Sequence, residues 1–135
     1  TTAYDYAQFV MALLKEQMLR KTAMNELVST EKDETARKKK IPQEVLQSVF
    51  WGLGWGLEKT EEGTLAFHWG DTQGAKAFVA INPENGSAIC YFANSQNRLS
   101  LAKELVTPHV GVSKGLDYLC GKYDYTLYDK PGYKE

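Results

Sequence analysis

The chain has 135 residues, of which 43% are hydrophobic and 24% charged, with a formal net charge of −1. That length suits about one domain, able to bury roughly two-thirds of its unfolded surface in a core of its own. The near-neutral balance excludes a broad basic field for holding nucleic acid, and no apolar run approaches the ~20 residues that a membrane-spanning helix needs.

The first third, residues 1–49, reads as helical. Thr2 and Asp5 stand three apart in the pattern of a capping box, where a hydroxyl and a carboxylate satisfy orphan amides. Tyr6, Phe9, Val10, Leu13, Leu14 and Met18 then repeat at helical spacing and predict one buried face. A second short helix is predicted from about Thr22 to Val28. The polar stretch from Glu31 to Lys40 ends in Arg37-Lys38-Lys39-Lys40, a charge run that reads as a solvated loop rather than a phosphate site. Pro42 suits the first turn of a further short helix through Ser48.

The period changes over residues 50–94. From Phe50 to Leu57, Trp51, Leu53, Trp55 and Leu57 alternate with Gly52, Gly54 and Gly56, which predicts a strand with one bulky and one bare face. Three more strands follow: Thr64 to Trp69 after the turn-like Glu61-Glu62-Gly63, Ala75 to Asn82 after Gly74, and Ser87 to Ala93 after Asn82-Pro83-Glu84-Asn85-Gly86. Their short connections imply antiparallel neighbours. Residues 95–122 return to helix: Leu99, Ala102, Leu105 and Val106 form a stripe that Pro108 is expected to end, and a last helix is predicted from Ser113 to Cys120 before Gly121. The tail, residues 123–135, carries Tyr123, Tyr125, Tyr128 and Tyr133 without a clear period. The resulting fold class is α+β, an antiparallel sheet of about four strands flanked by N- and C-terminal helices; with all helices on one face it would be a two-layer unit.

The chain has two cysteines and two histidines, far apart in sequence, and no Cys-x-x-Cys. Neither a metal site nor a cofactor is expected. Cys90 and Cys120 read as two buried thiols; a disulfide between them would need an oxidising compartment.

The most informative segment is Phe67-His68-Trp69-Gly70-Asp71-Thr72-Gln73-Gly74. It resembles the third active-site motif of serine hydrolases of the β-lactamase and penicillin-binding-protein kind. Many members have Lys-Thr-Gly there, and the esterase and D-amino-acid-peptidase branches often have His-x-Gly. The helix from Tyr4 to Leu14, the glycine-rich Gly52-Leu53-Gly54-Trp55-Gly56, the strand pair from Ala75 to Asn94 and the helix from Leu99 to Val106 resemble further family segments in the family's order.

The resemblance implies that this chain is the C-terminal part of such a hydrolase, acting through an acyl-serine on an ester, amide or β-lactam. The third-motif strand would border the cleft, with the substrate's acyl group lying along it. Gly70 would keep that strand bare. His68 would stand where many members carry lysine and hold a proton or a hydrogen bond beside the nucleophile; imidazole can gain or lose a proton near neutrality. The backbone N–H of Asp71 would be an oxyanion donor. Trp69 and Thr72 would touch substrate, although alternation puts Trp69 on the face of Leu65 and Phe67, where it would pack in the core. Trp69 in place of threonine removes a hydroxyl that binds a substrate carboxylate in other members, which leans toward an ester or another amide.

The family's nucleophile sits in a Ser-x-x-Lys motif at a helix start. Ser29-Thr30-Glu31-Lys32 has that spacing, but falls after a short helix and before the charged loop, so it is read as coincidental and the chain alone as inactive. The partner implied is a small acyl substrate, bound through the parent enzyme, and a periplasmic or secreted setting follows from the resemblance although the chain shows no signal peptide. A piece of a larger sheet would expose apolar surface and an unpaired edge, and so self-associate. The rival reading is a non-catalytic α+β binding or dimerisation module, the latter with Trp51, Leu53, Trp55 and Leu57 buried between copies.

Overall fold

A computed structural model describes residues 1–15, 28–29, 42–52, 54–72, 74–94 and 101–117. Its elements are α1 (Ala3–Lys15), β1 (Val28–Ser29), α2 (Gln43–Ser48), β2 (Val49–Trp51), β3 (Gly56–Thr60), β4 (Gly63–Thr72), β5 (Ala75–Asn82), β6 (Ser87–Ala93) and α3 (Ala102–Val110). One further turn of helix spans residues 114–117. The six strands form one antiparallel sheet in sequence order, so every neighbour in the sheet is also a neighbour along the chain. The α+β class, with helices at both ends, is the one expected.

Local chemistry explains most of the boundaries. At the start of α1 the Thr2 N–H donates to Asp5 Oδ2 (3.2 Å) and the Asp5 N–H donates back to Thr2 Oγ1 (3.1 Å), the expected capping box. The Thr2 hydroxyl (2.7 Å) and the Thr2 N–H, both donating to Asp5 Oδ2, hold the Asp5 carboxyl below its usual range. Asn82 shapes the β5–β6 turn: its Oδ1 accepts from the amides of Glu84 and Asn85, and its Nδ2 donates to the Val110 carbonyl. A fully buried side chain thus joins a hairpin to the end of α3.

Three expectations are corrected. First, Phe50 to Leu57 is not one strand. The chain turns at residues 52–55, with Gly54 at φ +76° and the Gly52 N–H donating to the Trp55 carbonyl at 2.7 Å, and β3 returns antiparallel to β2 with Trp51 opposite Gly56. The alternating glycines mark a hairpin. Leu57 is fully buried within its own chain. Second, the helices cover both faces of the sheet. Phe78, Val79, Ala80 and Ile81 are buried in succession along β5, a pattern that needs cover above and below. Leu65, Phe67, Phe78 and Ala80 pack against Ala102, Val106 and Val110 of α3, with Leu116 beside them. Leu57, Ala66, Val79 and Ile81 pack against Val10 of α1 on the other side. Third, α3 runs past Pro108 to Val110, and Gly111 stops it at φ +104°. Burial of Val110 and the Asn82 bond to its carbonyl hold that last turn.

Other expectations meet smaller adjustments. In α1, Tyr6, Val10, Leu13 and Leu14 face the sheet as expected, but Phe9 is 48% exposed. Strand β1 lies in the segment read as helical, and Val28 pairs with Trp51. Met18, the helix from Thr22, the basic run, Leu99, Cys120, Gly121 and the tyrosine-rich tail fall outside the described residues.

A buried carboxylate ties the end of the described chain to the sheet. Glu58 on β3 is 1% exposed and lies on the α3 face, opposite Leu65 of β4. It accepts hydrogen bonds from the Ser113 hydroxyl, from the Lys114 N–H (2.6 Å) and from the Gly115 N–H (3.1 Å). Ser113 Oγ in turn accepts from the Leu116 N–H, so carboxylate and hydroxyl together cap the turn at 114–117. The approach is close: a Cβ at Gly115 would sit 2.9 Å from Val49 Cγ2 and 3.1 Å from a Glu58 oxygen. Burial raises the Glu58 carboxyl above its ordinary value, against the three hydrogen bonds that favour the charged form, and Asp117 raises it further.

A raised folded-state pKa contributes stability that is fully present below the unfolded value, about 4.3, and is lost as pH rises through the folded value. Glu58→Gln keeps an oxygen for the two amides without a charge to desolvate. The stability of E58Q relative to the parent chain is therefore expected to increase from pH 4 to pH 8 in urea unfolding. Glu58→Ala, which orphans three donors, is expected to cost about 3 kcal/mol at either pH.

Candidate functional site

The motif residues lie along the second half of β4. The strand was expected to end at Trp69; it continues to Thr72 because its ladder with β5 continues, through Gly70 opposite Ala77, Asp71 opposite Lys76 and Thr72 opposite Ala75. The ladder with β3 is shorter. It starts at Thr60 opposite Gly63 and ends at Gly56 opposite Phe67, where the chain leaves into the 52–55 hairpin. Residues 68–72 of β4 are thus held in line by β5 and lie beyond the reach of the β3 ladder.

Strand alternation divides the motif between the two faces. Phe67 and Trp69 point toward α3. Their rings stack at 5.9 Å with an interplanar angle of 11°, and Trp69, half-buried, packs on the core built from Leu65, Phe78 and Val106. His68, Gly70 and Thr72 share the opposite face, the side of α1, and all three are exposed. The structure therefore brings His68, Gly70 and Thr72 together and turns the Trp69 indole away from them, into the packing role that alternation suggested. Asp71 stands between them with its backbone in the β4–β5 ladder. The Thr72 hydroxyl donates to the Ala75 carbonyl at 3.2 Å and, with Lys76 Nζ donating to the Thr72 carbonyl at 3.3 Å, closes the turn to β5.

Gly70 is the informative position. Its backbone is extended strand and not left-handed, so conformation does not require glycine. Among the described residues, a Cβ built there would meet only the Ala77 methyl, at an ordinary 3.7 Å. Packing does not require glycine either. The bare surface faces solvent beside an exposed imidazole.

Two residues of this region were not assigned to the site from sequence. Trp55, half-buried at the end of the 52–55 turn, packs against the α1-side core, and its ring stands edge-on to His68, with centroids 6.4 Å apart and planes at 84°. The glycines flanking it were the available signal, since a turn there aims its side chain differently from a strand. Cys90 lies one strand further on in the same row, with Val79 between it and His68 in register. Its half-buried thiol donates to the Ala3 carbonyl at 3.5 Å, and burial pushes its pKa up, away from the reactive thiolate.

Ser29 of the Ser-x-x-Lys spacing is in β1, opposite Phe50, and not at a helix start; Lys32 lies outside the described residues. A surface hollow of about 420 Å³ opens by Lys59, Thr60, Glu61, Glu62, Val112 and Lys114 and contains none of the motif residues. His109 is exposed near the end of α3.

Because the Trp69 indole is part of the α3-side core, Trp69→Ala is expected to destabilise the chain by about 2 kcal/mol and Trp69→Phe by less than about 1 kcal/mol, read from urea unfolding midpoints. An unchanged midpoint for W69A would remove Trp69 from the core.

Compared with known proteins, residues 1–107 match the family model described as Beta-lactamase. No curated protein and no solved structure gives a significant match.

Proposed function

The chain belongs to the beta-lactamase family, and from that premise we propose that it forms one wall of a serine-hydrolase site that opens an ester, amide or β-lactam through an acyl-serine intermediate. The single observation that carries this reading is the second half of β4: an exposed strand surface with an imidazole and then a glycine that neither backbone conformation nor packing demands. An acyl group can lie along such a surface with no side chain in its way.

In this reading the serine oxygen attacks the acyl carbon, and the carbonyl oxygen becomes an oxyanion. The Asp71 N–H is one donor to that oxyanion and the amide of the nucleophilic serine is the other; each donor is worth about 3 kcal/mol of barrier when both converge. Collapse of the tetrahedral species breaks the bond to the alcohol or amine, which leaves with a proton. Water then attacks the acyl-serine, releasing the acid and restoring the serine hydroxyl. His68, beside the reacting carbonyl, holds a proton or donates a hydrogen bond to the substrate. Thr72 borders the far end of the acyl group, and Trp69 supports the strand from behind. The absence of a threonine hydroxyl at position 69 favours an ester or a simple amide over a substrate that must be held by its carboxylate.

The nucleophile is placed outside these residues. The location of Ser29 in a two-residue strand supports that placement, since an activated serine of a Ser-x-x-Lys motif needs a helix start. The 135-residue chain is therefore expected to remain unlabelled by a fluorophosphonate or a penicillin, scored by intact mass; a covalent adduct on Ser29 would overturn the placement.

Gly70→Ala separates fold from function. Alanine fits the extended backbone and is expected to raise stability by about 0.5 kcal/mol. In the hydrolase that supplies the serine, the same change is expected to lower kcat/KM for an aryl ester about 100-fold, equivalent to about 2.7 kcal/mol. Full activity in G70A would remove the β4 surface from the reaction.

A further inference from the structure

We infer that Phe92 sets the substrate class of the site: it is the wall met by an uncharged apolar substituent, above all an aryl ring, that the acyl group carries across the sheet from Gly70. The inference rests on the reading of the Gly70 surface as the seat of the acyl group and adds a residue two strands away from the motif. Gly70 pairs with Ala77, and Ala77 pairs with Phe92, so the three form one row across β4, β5 and β6. Side chains in register lie on the same face of a sheet. Here that face is the α1 side, because the Phe92 ring meets Tyr6 of α1 with centroids 5.8 Å apart.

Along the row the side chains are a hydrogen, a methyl group and a phenyl ring. Gly70 is exposed and Ala77 half-buried, and a Cβ at Gly70 would stand 3.7 Å from the Ala77 methyl, so the first two positions form one shallow floor. Val79, two residues along β5, is buried in the α1-side core, so the strand comes out from under that core at Ala77. Phe92 ends the row with 37% of its surface exposed, a large apolar side chain open to contact. Tyr6 beside it packs on the α1-side core and also meets Phe9, at 5.5 Å and 62°, which ties the Phe92 wall to α1.

Adjacent strands lie about 4.8 Å apart, so Phe92 is roughly 10 Å from Gly70 across the sheet. An acetyl group seated at Gly70 ends near β4. A phenylacetyl group carries its ring over Ala77 toward Phe92, where ring-to-ring contact covers apolar surface on both partners. None of the three side chains carries a charge or a hydrogen-bonding group, so the row offers a charged substituent nothing in return for its lost water.

The full-length hydrolase that supplies the serine is to be compared on two nitrophenyl esters, the acetate and the phenylacetate. The ratio of their kcat/KM values cancels the fraction of folded enzyme, so a folding defect does not imitate a change in preference. Phe92→Ala is expected to lower the phenylacetate-to-acetate ratio about 10-fold. Ala77→Val, which suits a strand and raises the floor between Gly70 and Phe92, is expected to lower it by a similar factor. An unchanged ratio in either variant would overturn the inference. With G70A still impaired on the acetate, that result would remove Phe92 alone; hydrolysis of neither ester by the unaltered enzyme would remove the acyl-serine reading and Phe92 with it.

Discussion

Strand β4 is held by two ladders of unequal length, and the rest of the architecture follows from where the shorter one ends. With β3 it pairs over residues 63–67; with β5 it pairs over 66–72. One ladder is enough to keep a strand straight and in register. The five residues past Phe67 are therefore paired with β5 while lying beyond the β3 ladder. The end of the shorter ladder is set by the 52–55 turn. Had residues 50–57 run on as a single strand, a neighbouring backbone would lie along the part of β4 that carries the motif.

The two faces of the sheet divide the work. The α3 face is closed and cross-linked by polar groups that are themselves buried. Glu58 gathers three donors from residues 113–115, and Asn82 links the β5–β6 turn to the last carbonyl of α3. A buried carboxyl is costly to ionise, and the three donors around Glu58 offset that cost only in part. Such bonds have strict geometry. They fix α3 and the following turn on Leu65, Phe67 and Trp69, and so fix the line of β4 from behind. The opposite face is covered by α1 near Ala66, Val79 and Ile81, while His68, Gly70 and Thr72 on it are exposed.

Two glycines in this chain show how structural and functional demands can be told apart. At Gly115 a Cβ would press on Val49 and on the Glu58 carboxylate, so packing alone accounts for the residue. At Gly70 the described residues leave room for a methyl group and the strand conformation is ordinary, so neither accounts for the glycine. The cleft proposed above would account for it. Membership alone would not decide the chemistry, because a fold hosts many functions and the site must be argued from its own residues.

Much of this was legible in the residues themselves. Capping at Thr2 and Asp5, the short helix after Pro42, the turns at Glu61-Glu62 and Asn85-Gly86, and the alternation that sends Trp69 inward all depend on neighbours a few positions apart, and local chemistry determines them. The motif at His68 to Thr72 was legible for the same reason, being contiguous. The sequence alone did not determine what depends on distant partners. Whether three alternating glycines mean a bare strand or a hairpin was decided by the pairing of Val49 with Glu58 across the turn. That helices cover both faces was decided by the apolar residues on both sides of β5, which only the assembled sheet displays. The role of Glu58 depends on residues 55 to 57 positions later in the chain, and the meeting of Trp55 with His68 on the end of a ladder. Local propensity has a range of a few residues, whereas burial and ring contact are properties of the packed whole, so tertiary structure alone could place them.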